Sequence, residues 1–395
     1  QALAAIKLLR PVVYREAINP ADAVKVCFHD AGHILGSSIV EIFIKENEDF
    51  TKLVFSGDLG VKGRPILRDP KIIKKADFLI MESTYGNRLH PDNKTEHEEL
   101  ISIINETYRK GGNVIIPSFA VGRTQELLYI LNEFQEAGRL ERGVKVYVDS
   151  PLASKSTQIF KEYSRYFDEE SQERMRRGDH VLEFRNLFFT ESVEDSMELN
   201  RTKKGCVIIS ASGMATAGRI RHHLKHNLWR SECSVVFVGY QAEGSLGRII
   251  QDGAKTVNLF GEDIAVHAKV YSFSGLSGHA DRRGLYNWVK AIRKGPKEIF
   301  LTHGDLSAAT ALKELLSGDG YNVRIAKDGD IVPIRDYVKL VPKIEETDLE
   351  KTAVATALSR LRKKEDLIKY IETVDFTKIE TDEILKDISN ILKKQ

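Results

Sequence analysis

The chain has 395 residues, 42% of them hydrophobic, so it is long enough for two or three domains with sizeable cores and does not read as disordered or fibrous. Its 59 Lys and Arg residues nearly balance 57 Asp and Glu residues, and the net charge of +2 excludes a global basic field for nucleic acid. Any contact with a polyanion must therefore come from local patches.

The N-terminal part of the chain has the pattern of a sheet. A short amphipathic helix is predicted over residues 2–9, and it is followed by runs in which apolar residues alternate or continue as they do in strands. Strands are predicted at residues 24–28, 38–44, 52–55 and 78–81. The polar, turn-rich stretch Y-G-N-R-L-H-P-D-N-K then predicts a domain boundary.

The middle of the chain, from about residue 95 to 266, has strands separated by helices. This alternation predicts a parallel sheet flanked by helices. The strands are predicted at 113–116, 144–148, 206–209 and 235–239, and the helices begin near Arg123, Ala153, Val193 and Thr216. The pattern of the first part then returns, with strands at 270–273 and 298–302, a helix near 282–292 and strand-like runs from Asn322 and Ile331. One α/β domain is therefore predicted to be inserted into another.

The C-terminal segment, residues 343–395, is rich in Lys and Glu and has apolar residues at helical spacing, which predicts two or three helices. Their apolar stripe has two open explanations, packing against the body of the protein or docking of a partner or a second copy.

The three cysteines lie far apart, each in or beside an apolar run, at Cys27, Cys206 and Cys233. We expect buried thiols in a reducing compartment and no disulfide. The sequence has no apolar run of membrane-spanning length, and the opening Q-A-L-A-A-I-K-L-L-R is unlike a secretory signal. We therefore predict a cytoplasmic protein with no membrane partner.

Metal-capable side chains follow three of the strand-like runs. A-G-H-I-L-G carries His33, F-S-G-D-L-G carries Asp58 and L-T-H-G-D carries His303. At the ends of strands, these side chains can converge on one rim of a sheet. Catalytic zinc binds His nitrogens and carboxylate oxygens and keeps one position for water, so a metal site is the first hypothesis. The alternative for each histidine is an ordinary hydrogen-bonded structural residue.

Two more strings add an acid–base pair. M-E-S-T-Y-G carries Glu82, and F-S-G-L-S-G-H-A-D carries His279. A carboxylate at one ring nitrogen favours the imidazolium, which can hold phosphate charge or protonate a departing oxygen. Glu82 could instead be a turn or N-cap carboxylate, and His279 could cap the helix that begins near Asp281. Ser277 and Gly278 offer a hydroxyl and backbone N–H groups for an anion beside that helix.

The predicted insert has four small, polar strings that each follow a strand and open a helix: P-S-F-A-V-G-R, D-S-P-L, S-A-S-G-M-A-T-A-G-R and G-Y-Q-A-E-G-S-L-G-R. Backbone N–H groups and the arginines Arg123, Arg219 and Arg248 meet there, where a phosphate could bind. Arg248 could instead be structural, because it lies inside its helix. In R-I-R-H-H-L-K-H a metal site is disfavoured, because the neighbouring basic residues repel a cation and no carboxylate orients the rings.

Together these strings resemble the metallo-β-lactamase-fold nucleases of the β-CASP family over essentially residues 1–340. The resemblance implies an α/β fold, a metallo-β-lactamase αββα sandwich with core parts at 1–94 and 269–342 around a β-CASP domain at 95–268. The helical extension at 343–395 is no part of the family pattern. The strings G-M-A-T-A-G-R and G-Y-Q-A-E-G-S-L-G-R look most like the prokaryotic RNA-specific branch.

The resemblance also implies zinc-dependent hydrolysis of single-stranded RNA that leaves 5′-phosphate and 3′-hydroxyl ends. It makes Asp58 a catalytic carboxylate that bridges two zinc ions, with His33 on one ion and His303 on the other. Glu82 and His279 become the catalytic pair that faces the scissile phosphate. The implied RNA contacts are Arg123, Ser212, Gly213, Arg219, Gln241, Ser277 and Gly278.

The family's string H-x-H-x-D-H, which supplies two ligands to each zinc ion, does not occur in the sequence. We interpret the chain, which begins with Gln, as a fragment without the segment that carries this string, and we expect it to bind zinc weakly. The alternatives are an inactive RNA-binding or scaffold homologue of a cleavage complex, and a metallo-hydrolase of a small ester. A DNA substrate also stays open, because no residue is identified that would sense a 2′-hydroxyl.

Overall fold

The computed structural model describes residues 2–46, 49–91, 93–202 and 205–332. The chain divides into two compact units, and the larger one comprises Val13–Asp328. The smaller unit contributes helix α1 (Ala2–Ile6), which is shorter than the predicted helix over residues 2–9. The helices predicted at 343–395, and the strand-like run from Ile331 beyond residue 332, lie outside the described residues.

Strands and helices alternate through the larger unit. The strands are β1 (Ala17–Ala21), β2 (Val24–Asp30), β3 (Ser38–Glu46), β4 (Asp49–Phe55), β5 (Phe78–Glu82), β6 (Val114–Pro117), β7 (Lys145–Val148), β8 (Leu187–Phe189), β9 (Cys206–Ser210), β10 (Ser234–Phe237), β11 (Thr256–Leu259), β12 (Glu262–Ala265), β13 (Lys269–Ser272), β14 (Glu298–Thr302) and β15 (Val323–Ile325). The helices are α2 (Asn93–Arg109), α3 (Arg123–Glu136), α4 (Pro151–Glu162), α5 (Glu169–Arg176), α6 (Val193–Arg201), α7 (Ile220–Asn227), α8 (Leu246–Gln251), α9 (Arg282–Lys290) and α10 (Leu306–Gly318), with a 3-10 turn at Ser164–Tyr166.

The core sheet has seven strands in the order β1-β2-β3-β4-β5-β14-β15. Strands β1 to β4 pair antiparallel, whereas β4, β5, β14 and β15 run parallel. Strand β14 comes after the whole second sheet in sequence, yet it pairs with β5 and sets Thr302 opposite Glu82. The apolar face of this sheet packs with helices α9 and α10 through residues such as Leu79, Leu285 and Leu312.

The inserted sheet has six parallel strands in the order β13-β10-β6-β9-β7-β8. Alternate residues of its central strands enter two different clusters, with Ile116 in one and Ile115 in the other. Burial on both faces explains why these strands are continuously apolar. The predicted α/β fold class is confirmed. Strand β13 reaches past the predicted boundary at residue 268, and the four-part division stays a prediction.

Some elements differ from prediction for local reasons. The helix predicted near Thr216 begins at Ile220, because Ala215 and Gly218 have φ of 56° and 81°, values that an α-helix cannot contain. The hairpin of β11 and β12 was not predicted, although Phe260 and Gly261 turn it with positive φ at both positions, as two-residue hairpins require.

Two sequence expectations concern burial and membranes. All three cysteines are free and buried, as predicted. Among the helices of the described residues, none combines the length and the apolarity needed to cross a membrane.

Candidate active site

Side chains at one edge of the core sheet come together although they are far apart in sequence. His33 lies in the turn after β2, Asp58 follows β4, Glu82 ends β5, and His303 directly follows β14. His279 lies in the loop before α9. Because β4, β5 and β14 are parallel neighbours, their carboxyl ends meet at this edge, where ligands bind in open α/β sheets.

Asp58 lies between two of the predicted metal ligands. Its Oδ2 is 3.9 Å from Nε2 of His33, and its Oδ1 is 3.8 Å from Nδ1 of His303. The imidazoles therefore approach different oxygens of one carboxylate. This is the arrangement that a bridging carboxylate needs.

Main-chain hydrogen bonds hold the site loops together. Gly60 donates its backbone N–H to Ala31 at 2.7 Å, and Ala280 donates to Leu59 at 2.7 Å. The loops of His33, Asp58 and His279 are thereby joined in series. At Gly60 a Cβ would lie 1.9 Å from the carbonyl oxygen of Gly32, so this approach requires glycine.

Glu82 is buried and orients His279. One carboxylate oxygen is 3.0 Å from Nδ1 of His279, and the other accepts the backbone N–H of Leu59. Burial by itself would lower the pKa of His279, but the hydrogen bond and the charge of Glu82 outweigh it and raise that pKa. The arrangement therefore favours the imidazolium form of His279.

His33 has the opposite electrostatic environment. Burial and the neighbouring His279, whose ring centroid is 4.3 Å away, lower the pKa of His33. A neutral imidazole is the form that binds a metal ion. The surroundings therefore shift the pKa values of the two histidines in opposite directions, downward for His33 and upward for His279.

His303 has a backbone φ of 46°, in the left-handed region that histidine adopts more readily than most residues. Its Nδ1 is 2.9 Å from Oγ1 of Thr84. Sequence analysis missed Thr84, although it lies in M-E-S-T-Y-G two residues after the predicted Glu82. This hydroxyl orients His303, the most exposed of the three predicted metal ligands.

The types of ligand atom at the site are those that zinc binds. Candidate ligand atoms of His33, Asp58 and His279 lie within 4.8 Å of one another, and so do those of Glu82, His279 and His303. Zinc sites in proteins combine such nitrogens and carboxylate oxygens in sets of three or four. The two groups share His279, and a third group of candidate donors in the described residues, Cys27, His29 and Glu41, lies on strands β2 and β3.

A cleft of about 750 Å³ opens beside these residues, and both sheets contribute to its lining. His33, His279 and His303 come from the core part, and the turn that opens α3 comes from the inserted part. Three arginines, Arg64, Arg88 and Arg123, also line it. Arg64 and Arg123 are buried and share the carboxylate of Glu126, which also lines the cleft, so the exposed Arg88 is the lining arginine that solvent reaches.

Arg64, which sequence analysis missed, joins the two parts of the cleft. Its Nη1 donates to the carbonyl oxygen of Ser277 at 2.7 Å, and its Nε donates to Oε1 of Glu126 at 2.6 Å. Arg123, a predicted RNA contact, pairs with the same carboxylate. Burial lowers the pKa of Arg123 to about 10, which is still well above neutral pH, so its guanidinium stays charged beside Glu126.

Asp149 anchors a second polar cluster in the inserted part. It is fully buried and lies 2.5 Å from Nε2 of His223. It also accepts hydrogen bonds from Thr190, Ser196 and Arg219. The sequence argument that no carboxylate orients these histidines was therefore wrong for His223.

The other predicted RNA contacts fall into two groups. Ser277 and Gly278 line the cleft, as Arg123 does. Ser212, Gly213, Arg219 and Gln241 are outside that lining. Gln241 is buried and donates to the carbonyl oxygen of Gly213 at 3.0 Å, so it supports the loop that follows β9.

Comparison with known protein families agrees with this geometry. Residues 124–250 match the family model described as the Beta-Casp domain. Residues 263–326 match the one described as the Zn-dependent metallo-hydrolase RNA specificity domain. The first match covers most of the inserted sheet, and the second covers the segment with His279 and His303. Fold and site therefore define a β-CASP metallo-hydrolase.

Relatives that align with 74% to 82% of the chain agree. Over 326 residues the chain is 37% identical to ribonuclease TTHA0252 of Thermus thermophilus, covering 82% of this chain and 73% of that protein. It is 35% identical over 296 residues to the RNase J-like protein of Methanocaldococcus jannaschii, covering 74% and 66%. It is 31% identical over 312 residues to the transcription termination factor FttA of the same organism, covering 76% of this chain but 48% of the factor. The chain belongs to the metallo-β-lactamase β-CASP ribonuclease family.

Proposed function

We propose that this chain carries the site of a zinc-dependent ribonuclease, which hydrolyses phosphodiester bonds of single-stranded RNA and leaves 5′-phosphate and 3′-hydroxyl ends. The observation that carries the proposal is the pair formed by Glu82 and His279, next to the donors of His33, Asp58 and His303 in one cleft. The relatives whose names identify them as ribonucleases support the same reaction class.

The proposed metal ligands are His33, Asp58 and His303, with Asp58 shared between two ions. When bound, zinc supplies Lewis-acid activation of water and neutralises phosphate charge. The chain lacks the string that provides further ligands in the family, and so few donors do not hold zinc tightly. We therefore propose weak zinc binding by this chain. Metal analysis of the purified protein tests it, and two tightly held zinc ions per molecule would contradict it.

His279 is the proposed proton donor. Glu82 holds Nδ1, so the imidazolium proton on Nε2 is free to reach a phosphate oxygen or the departing 3′-oxygen. The buried carboxylate of Glu82 fixes the orientation of the His279 ring through this hydrogen bond. The site thus places a cationic acid beside the metal ligands.

Single-stranded RNA is the proposed substrate because the cleft combines cationic groups with an opening that both sheets border. A small ester would not need the exposed Arg88 at the border of the cleft. The buried free thiols support a reducing compartment, and we propose the cytoplasm as the location.

The test is cleavage of labelled single-stranded RNA by the full-length protein with zinc. We expect His279→Ala to lower the rate by about 100-fold or more without loss of metal, because it removes general acid catalysis. His180→Ala, at an exposed histidine outside the cleft, is the matched control. Unchanged turnover by His279→Ala would remove this residue from the mechanism. RNA binding without any cleavage by the wild type would instead favour the scaffold alternative.

A further inference from the structure

The cleft has an apolar surface that the proposed reaction does not use. Besides the histidines and arginines, its lining includes Phe119, Val121, Leu152 and Tyr240. They come from turns at the carboxyl ends of β6, β7 and β10 in the inserted sheet. Their exposed fractions are 47%, 41%, 61% and 47%, so none of them is consumed by core packing. Large apolar side chains grouped in a cleft mark a surface for binding.

Phe119 is held in place from one side. A Cβ on Gly213 would lie 2.9 Å from Cδ2 of the Phe119 ring, so the loop after β9 lies directly against that ring. The same turn reaches the core part at Gly122, where a Cβ would lie 2.9 Å from Cγ2 of Ile34. Because Ile34 follows the predicted ligand His33, the Phe119 turn packs against the loop that carries this ligand.

We propose that Phe119 and Tyr240 stack on nucleobases of the bound strand close to the cleaved bond, an inference that rests on the proposed function. A strand of RNA has a charged backbone and flat apolar bases. The cleft offers the exposed guanidinium of Arg88 for a phosphate and half-exposed aromatic rings for bases.

Base stacking in the cleft would also make the protein select single strands over duplexes. In a duplex the bases are stacked on one another and are not available to side chains. Rings that need an unstacked base therefore admit an unpaired strand and disfavour a paired one. Base stacking on a ring tolerates any sequence, because every base has a flat aromatic face.

The test measures binding, so it does not depend on cleavage. Affinity for a single-stranded RNA is measured without zinc, with the intact strand and with strands in which one nucleotide at a time beside the cleavage position is abasic. We expect Phe119→Leu to weaken binding of the intact strand by about 10-fold, a typical loss for one stacked base. We expect it to change binding very little for the strand whose stacked base is already missing.

Controls separate stacking from folding. Phe188→Leu removes a phenylalanine with 42% exposure on β8, outside the cleft lining, and should bind every strand as the wild type does. Tyr240→Phe keeps the ring and should retain affinity, whereas Tyr240→Leu should lose it. This second site tests the proposal even if Phe119→Leu does not fold.

Two results would overturn the stacking proposal. In the first, Phe119→Leu and Tyr240→Leu weaken the binding of intact and abasic strands equally. In the second, they weaken the binding of neither strand. A wild type that does not bind RNA would overturn it as well. Base-dependent binding combined with no cleavage by the full-length zinc-loaded protein would leave stacking in place and reject the proposed hydrolysis. The two proposals can therefore fail separately.

Discussion

Each of the two sheets carries a buried carboxylate paired with a histidine, Glu82 with His279 in the core part and Asp149 with His223 in the insert. The side chain of His279 is 19% exposed and borders the cleft, whereas that of His223 is fully buried. The same chemical pair therefore lies in two different settings, one that a substrate can reach and one enclosed by the fold. Access to the cleft, not the pair itself, distinguishes the two settings.

The largest expected effect is a loss of RNA cleavage when the Glu82–His279 pair is changed. Glu82→Gln keeps the shape of the side chain but removes the charge that favours the imidazolium of His279. We expect cleavage by the full-length protein to fall by about 100- to 10,000-fold, the range of general acid catalysis, with a nearly unchanged melting temperature. The measurement is kcat/KM with RNA beside thermal unfolding. Wild-type turnover by Glu82→Gln would mean that the core pair, too, is only structural.

The second prediction separates the pairs by stability. Asp149→Ala leaves His223 buried without its carboxylate and frees Arg219, so we expect the free energy of unfolding to fall by about 3–5 kcal/mol. Denaturant unfolding measures this difference. Asp252→Ala is the matched control, because that carboxylate pairs with Arg248 on the surface. Equal stability of Asp149→Ala and the wild type would refute an architectural role.

The third prediction concerns pH. Burial alone would raise the pKa of Asp149, but hydrogen bonds from His223, Ser196 and Thr190 outweigh it and hold this pKa well below its usual range. A lowered folded-state pKa stabilises the fold above the unfolded-state value of about 3.9, and the contribution is lost as pH falls through the folded-state value. The difference in melting temperature between wild type and Asp149→Asn should therefore begin to shrink as the pH falls below about 4, and it should shrink further as the pH approaches the folded-state value. A constant difference from neutral to acid pH would contradict this.

The smallest expected effect is at Arg248, which lies in a phosphate-binding string by sequence. Its guanidinium pairs with Asp252 four residues later on an exposed helix face. Exposed pairs of this kind contribute little, because water competes for both charges. We expect Arg248→Ala to leave the melting temperature unchanged in calorimetry, whereas Arg219→Ala, which breaks a bond to buried Asp149, lowers it. A larger loss for Arg248→Ala would reverse this ranking.

Much of the fold could be predicted because strand patterns are local. The strands of the inserted sheet are continuously apolar because both of their faces are buried. His33, Asp58 and His303 could be grouped because each directly follows such a run. Apolar spacing alone predicted a helix that begins near Thr216, but the left-handed residues Ala215 and Gly218 exclude helix there and it begins at Ile220.

Contacts between distant residues could not be predicted from one sequence. Arg64 meets Glu126 62 positions away and Ser277 213 positions away, and its own surroundings, K-G-R-P, have no chemical pattern. Asp149 and His223 are 74 positions apart. His223 lies on helix α7, and its carboxylate partner, Asp149, directly follows strand β7.

The loops that carry the site are joined through main-chain groups, from Ala31 to Gly60 and from Leu59 to Ala280. These bonds do not depend on which side chains the neighbouring positions carry. We therefore expect replacement of a site histidine or aspartate to change the side-chain chemistry without moving the loop backbone. Any side chain at Gly60 would displace that backbone. Gly278 and Gly304, which line the cleft, are restricted as well, because a Cβ there would lie 2.7 Å from the His33 ring and 2.8 Å from the backbone of Ser83. For protein engineering, the glycines of the site loops are therefore positions to keep.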